Sequence, residues 1–142
     1  MSSNPKSEFE STNTNKQAVR LEIEATNRTP EIKMDGSKGL ISIKGVSMPA
    51  NVNQFYSPLL ERLDQYMANP KEDTRVVFDL EYVNSSSSQM ILAILFKLKT
   101  LVDKGNNLKI DWHYVVEDED IYETGKSYSE LSGITFNFHE RE

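Results

Sequence analysis

The chain has 142 residues, 37% of them hydrophobic and 27% charged, which suits one ordinary domain. Lys and Arg number 16 against 22 Asp and Glu, and the resulting net charge of −6 argues against general binding to nucleic acid or anionic membranes. No cysteine is present, which excludes disulfides, thiolate metal sites and cysteine nucleophiles, and the longest apolar run, Met90–Phe96, is far too short to span a membrane.

The opening residues MSSNPKSEFE lack the basic-then-apolar order of a signal peptide, so the expectation is a soluble cytoplasmic protein. Residues 1–17 are rich in Ser, Asn, Thr and charge, with Phe9 the one large apolar residue after Met1. Such a stretch buries too little apolar surface to offset its ordering entropy and reads as a disordered polar tail. Residues 18–142 read as a single domain. Val19, Leu21 and Ile23 alternate with Arg20, Glu22 and Glu24, the period of a half-buried strand. Ile32 and Met34 mark a second strand, and Asp35-Gly36 a tight turn. Leu40–Lys44 reads as a third strand, and Gly45 to Asn51 as a loop. A helix follows between Val52 and Met67, with Phe55, Leu59, Leu60, Leu63, Tyr66 and Met67 at helical spacing and Asn69-Pro70 ending it. Thr74 to Tyr82 is a strand whose apolar centre, Val76-Val77-Phe78, suggests cover on both faces.

A second long helix runs from the serine cluster to about Lys104, with Gly105 as its cap. Leu108, Ile110, Trp112 and Tyr114 alternate in another strand. A third helix spans Glu117 to about Leu131, and Ile134, Phe136 and Phe138 form a last edge strand. The order is β-β-β-α-β-α-β-α-β. Strands alternating with helices in the second half predict a single small α/β sandwich, a mixed sheet with helices packed on it.

Few residues carry obvious chemistry. His113 and His139 are a poor base for a triad or a metal site, and no phosphate loop, HExxH or EF-hand is present, so neither cofactor nor metal is expected. Glu117-Asp118-Glu119-Asp120 lacks calcium-loop spacing and suits the positive end of a helix dipole. The distinctive feature is Asp79-Leu80-Glu81-Tyr82-Val83-Asn84 leading into Ser85-Ser86-Ser87-Ser88 and then an apolar helix. One serine suffices to cap a helix, and four are not explained by capping. A helix N-terminus accommodates a phosphate through free N–H groups and a partial positive charge. Phosphorylation there adds about −1.5 to −2 charges, enough to abolish a partner interface without disturbing the fold. In the helix, Ile91, Ile94, Leu95, Leu98 and Leu101/Val102 make a core face. Met90, Leu92, Ala93 and Phe96 cannot all share it, so they either contact neighbouring elements or form an exposed patch beside the serines.

The segment Asp79–Ser87, followed by Asp111-Trp112-His113-Tyr114 and the acidic run Glu117–Asp120, resembles the SiaC family of bacterial regulatory phosphoproteins, from about Leu21 to about Phe138. The resemblance implies an architecture similar to STAS-domain anti-sigma-factor antagonists, although Asn84 and Ser87 stand where a STAS loop carries Asp and Gly. It implies a non-enzymatic partner switch: a Ser/Thr kinase adds a phosphate after the motif Asn, a metal-dependent phosphatase removes it, and the unphosphorylated form activates a diguanylate cyclase in biofilm signalling. By position the phosphoacceptor is Ser85, with Ser86 and Ser87 as alternatives. Asn84, Ser86, Gln89 and Met90 are the expected partner contacts. A switch acting on another partner is one alternative. The other is a small hydrolase or transferase using Ser85 or Ser86 as nucleophile and His113 as base, which requires the two within about 3 Å of each other.

Overall fold

A computed structural model describes residues 19–142, so the tail lies outside the described residues. The elements are β1 (Arg20–Ile23), β2 (Glu31–Asp35), β3 (Leu40–Ser47), α1 (Val52–Met67), β4 (Asp73–Val83), α2 (Ser85–Asp103), β5 (Asn107–Val115), α3 (Glu119–Ser132) and β6 (Phe136–Arg141). This is the order read from the sequence. The six strands form one mixed sheet in the order β1-β2-β3-β4-β5-β6. The pairs β1–β2 and β2–β3 are antiparallel, and β3 to β6 are parallel.

That order places the core. Each step from β3 to β6 moves one position in the same direction. Right-handed crossovers taken repeatedly in one direction leave every connecting helix on the same face of the sheet. The inward residues agree. Ile41 and Ile43 on β3 pair with Val76 and Phe78 on β4, and Phe78 pairs in turn with Trp112 on β5. All are buried beneath Tyr56, Leu59, Leu63 and Tyr66 of α1, Ile91, Ile94, Leu95 and Leu98 of α2, and Ile121 and Tyr128 of α3. Among the described residues the fold is therefore a two-layer α/β one, with helices on one face of the sheet and none on the other, open face.

Three expectations need correction. Val76-Val77-Phe78 is covered on one face only: Val76 and Phe78 are buried, whereas Val77 is half-buried on the open side beside Ser42 and Asp111. A run of three apolar residues does not reveal whether a later crossover returns over the other face. The expected loop from Gly45 begins too early, because β3 continues to Ser47. Gly45, at φ +119°, carries the strand through a conformation that a side chain would resist. The third helix starts at Glu119 rather than Glu117, with Asp118 as its cap.

Candidate functional site at the N-terminus of α2

Gly45 pairs with Leu80 but Val46 pairs with Tyr82, so Glu81 is an extra residue, a bulge at the carboxyl end of β4. The bulge reverses the alternation. Leu80 is buried, but Tyr82, which strict period two would also turn inward, is 52% exposed. Val83 then pairs with Ser47, and the chain enters α2 at once.

Asn84 caps this helix, and no serine does. Its extended backbone (φ −85°, ψ 175°) turns the side chain back so that Oδ1 accepts from the Ser87 N–H at 2.9 Å. The Asn84 N–H donates to the Ser47 carbonyl at 3.0 Å. Replacing Asn84 by Ala should cost about 1 kcal/mol and lower Tm by roughly 3–5 °C, measured by thermal denaturation.

The four serines do different things. Ser85 and Ser86 are exposed in the first turn, and Ser86 Oγ lies 3.3 Å from Asn84 Oδ1. Ser87 is fully buried, and its hydroxyl accepts from Ser47 Oγ at 2.8 Å. Ser47 Oγ is also 2.7 Å from the Tyr56 hydroxyl on α1. Ser47 has a single hydroxyl proton, which goes to Ser87, so Tyr56 is the donor in the second bond. Burial pushes the Tyr56 hydroxyl up to about 12, against the opposing bond to Ser47, so it remains a donor at neutral pH. Ser88 hydrogen-bonds the Tyr128 hydroxyl on α3. The cluster is thus two exposed hydroxyls followed by two anchors, one to β3 and one to α3.

Gln89 is exposed, whereas Met90 is only 9% exposed and belongs to the core. The helix is apolar on more than one side because α1 and α3 both pack against it. Its exposed large apolar side chains are Phe96 and Val102, further along. Tyr82, three residues before Ser85, and Val116, just after β5, are also exposed. The acidic run serves the helix: Asp118 Oδ1 accepts from the Ile121 N–H at 3.0 Å, and Glu119 and Asp120 lie in the first turn.

His113 is not brought to the serines. It lies on the open face, stacked on His139 with ring centroids 4.8 Å apart. Beside them Asp111 is fully buried, accepting from Arg75 Nε at 2.6 Å and from His139 Nε2 at 2.7 Å. Burial alone would raise the Asp111 carboxyl, but these bonds outweigh it and hold it below the ordinary carboxylate value. Burial lowers His113, aided by charge on His139 and Arg141 and opposed by Asp79 and Asp111. Both shifts favour the fold at higher pH. A neutral His113 is preferred in the fold, so stability falls as pH drops below about 6.5. The Asp111 contribution, present above about 3.9, is lost on further acidification. We expect two acid steps in Tm against pH, and His113→Gln should remove the upper one. Among the described residues no group of three or more His, Asp or Glu is placed to hold a metal ion.

Comparison with known proteins agrees with the fold. The model of the SiaC family of regulatory phosphoproteins matches residues 23–141. In the crystal structure of the diguanylate cyclase SiaD in complex with its activator SiaC from Pseudomonas aeruginosa, one chain is 25% identical, with TM-score 0.80 over 85% of this chain and 99% of that one. A structure of SiaC of P. aeruginosa superposes with TM-score 0.76 at 23% identity, covering 86% of this chain and 98% of that one. An uncharacterised protein of P. aeruginosa strain UCBPP-PA14 is 26% identical over 116 residues, 82% of this chain and 92% of its own. The family match runs from the last residue of β1 to the last residue of β6 and includes the whole serine cluster: this chain belongs to the SiaC family of regulatory phosphoproteins.

Proposed function

We propose that this chain is a non-enzymatic switch governed by reversible phosphorylation of Ser85, and that its unphosphorylated form binds and activates a diguanylate cyclase. One observation carries the reading: Ser85 is an exposed hydroxyl in the first turn of a firmly capped helix, in a chain of a regulatory phosphoprotein family. A Ser/Thr kinase can reach it without unfolding anything, and a metal-dependent phosphatase can reverse the reaction. Ser86 is the remaining alternative acceptor. The full burial of Ser87 weighs against it, since a kinase would have to extract its hydroxyl from the bond to Ser47.

The cyclase as target is supported by the likeness to the chain in the SiaD complex, where SiaC is the activator. Partner contact falls on Ser85, Ser86 and Gln89, with Asn84 shaping the turn and the outward Tyr82 as an apolar anchor beside them. Met90 contributes from beneath, by packing. No catalytic role is assigned to the serines, because His113 sits on the open face, stacked on His139.

The test has two parts. Protein purified from its own host is mapped for phosphate by mass spectrometry, and unphosphorylated protein is added to purified diguanylate cyclase while cyclic di-GMP is measured. Phosphate on Ser85 and a rise in cyclic di-GMP are expected. Phosphate elsewhere would overturn the site. No effect on a cognate cyclase, with different proteins captured by Ser85→Ala and Ser85→Glu baits, would transfer the switch to another target.

A further inference from the structure

The Ser85 reading leaves open what holds that hydroxyl out while Ser87, two residues on, points inward. We propose that Ser47, backed by Tyr56, is a positioning residue that selects which serine of the cluster is offered for phosphorylation. The inference rests on the reading of Ser85 as phosphoacceptor and adds the device that sets it.

Ser47 grips the turn at both ends. Its backbone carbonyl accepts from the Asn84 N–H at 3.0 Å, just before the helix. Its side chain donates to Ser87 Oγ at 2.8 Å, at the end of the first turn. Between these two points lie Ser85 and Ser86, the exposed pair. Fixing Asn84 and Ser87 fixes the rotation of the helix about its axis. Successive residues on a helix differ by about 100°, so one buried serine dictates which neighbours face out.

The grip depends on long-range features. The bulge at Glu81 brings Val83 opposite Ser47, which sets the turn at the right height. Tyr56 donates to Ser47 from α1, orienting the hydroxyl so that its proton goes to Ser87. Ser47 and Ser87 are both completely buried, so water cannot substitute for either bond. Ser88 and Tyr128 tie the next residue to α3, but that bond lies beyond the exposed pair and does not clamp their preceding side.

Removing the Ser47 hydroxyl should free the first turn to rotate and fray. Two readouts test this on the full chain. The first is amide hydrogen exchange of Ser87 and Ser88, whose N–H groups are bonded to Asn84, and it needs no kinase. Ser47→Ala should exchange roughly tenfold faster there than wild type, with little change at Ile110 or Trp112. Ser47→Thr, which keeps the hydroxyl, should restore protection. The second is the distribution of phosphate over Ser85–Ser88 in protein isolated from its own host. Wild type should carry it on Ser85, and Ser47→Ala should spread it to Ser87, which the lost bond held inward.

Should Ser47→Ala fail to fold, Tyr56→Phe keeps the packing and removes the outer donor, and the same changes are expected at smaller size. Unchanged exchange and an unchanged phosphate distribution in the variant that folds would overturn the inference. Wild type carrying no phosphate on any of the four serines would overturn the Ser85 reading, and the exchange result would then decide the positioning role alone.

Discussion

Ser85→Glu should weaken binding to the partner cyclase by roughly 30-fold or more, while Ser85→Ala leaves binding within about twofold of wild type. The magnitude follows from placing an unpaired charge in a desolvated contact, which costs about 2–5 kcal/mol. The segment around Ser85, Tyr82 to Leu92, contains no Lys or Arg. What it offers is backbone: the N–H groups of Ser85 and Ser86 have no intrahelical acceptor, while that of Ser87 is taken by Asn84. Glutamate in a first turn is therefore tolerated by the fold and even favoured by the helix dipole. The expected signature is loss of affinity with Tm unchanged or slightly raised. Calorimetric titration of the cyclase with the three proteins, alongside thermal scans, checks both halves. Equal affinities for the three would remove Ser85 from the interface. A fall in Tm would show that Glu acts on the fold.

The same geometry explains how much of the site was legible in the chain. Asn84 and the four serines stand out because polar residues directly between a strand and an apolar helix are a local signal, read within one turn. Their division of labour is not local. Ser87 and Ser85 are the same residue type two positions apart, and only the bulge, Ser47 and Tyr56 decide which one is buried. Ser47 fell in a stretch that reads as loop, because Gly45 interrupts the pattern just where β3 continues. Tyr56 was hidden by its neighbour: Phe55 fits the apolar stripe, yet Tyr56, Leu59, Leu63 and Tyr66 are the buried set, at equally good helical spacing. Met90 failed for a related reason. Periodicity identifies one buried face, but α2 lies between α1 and α3 and buries more than one.

The element order was legible because each element is long enough to show its period. Which sheet face is covered was not, since that depends on the direction of three successive crossovers. Asp111 shows the consequence. A carboxylate between Ile110 and Trp112 reads as the polar side of an alternating strand, and it does lie on the open face. Its complete burial requires Arg75 from β4 and His139 from β6, residues 36 and 28 positions away.

Gly125→Ala should destabilise the protein by about 2–4 kcal/mol. Helix propensity predicts the opposite, since Ala is favoured over Gly inside a helix by about 1 kcal/mol. Packing decides the sign. A Cβ on Gly125 would lie 2.5 Å from Trp112 Nε1 and 2.6 Å from its Cε2. The indole has nowhere to go. It is fully buried, lies against Phe78 and Tyr128 with ring centroids 5.5 Å away in each case, and donates Nε1–H to the Ile121 carbonyl at 3.0 Å. Relief must therefore come from lifting α3, which stretches that bond and withdraws Tyr128 from Ser88. Thermal denaturation should show a loss of roughly 10 °C. Ser127→Ala, at an exposed position of the same helix, should change Tm by no more than a degree or two. If Gly125→Ala were neutral or stabilising, propensity would have won and the close approach of α3 to Trp112 would not be a constraint. If it destabilises as expected, amide exchange at Ser87 and Ser88 should rise along with it, because the helix that seats the tryptophan also holds the far end of the serine cluster.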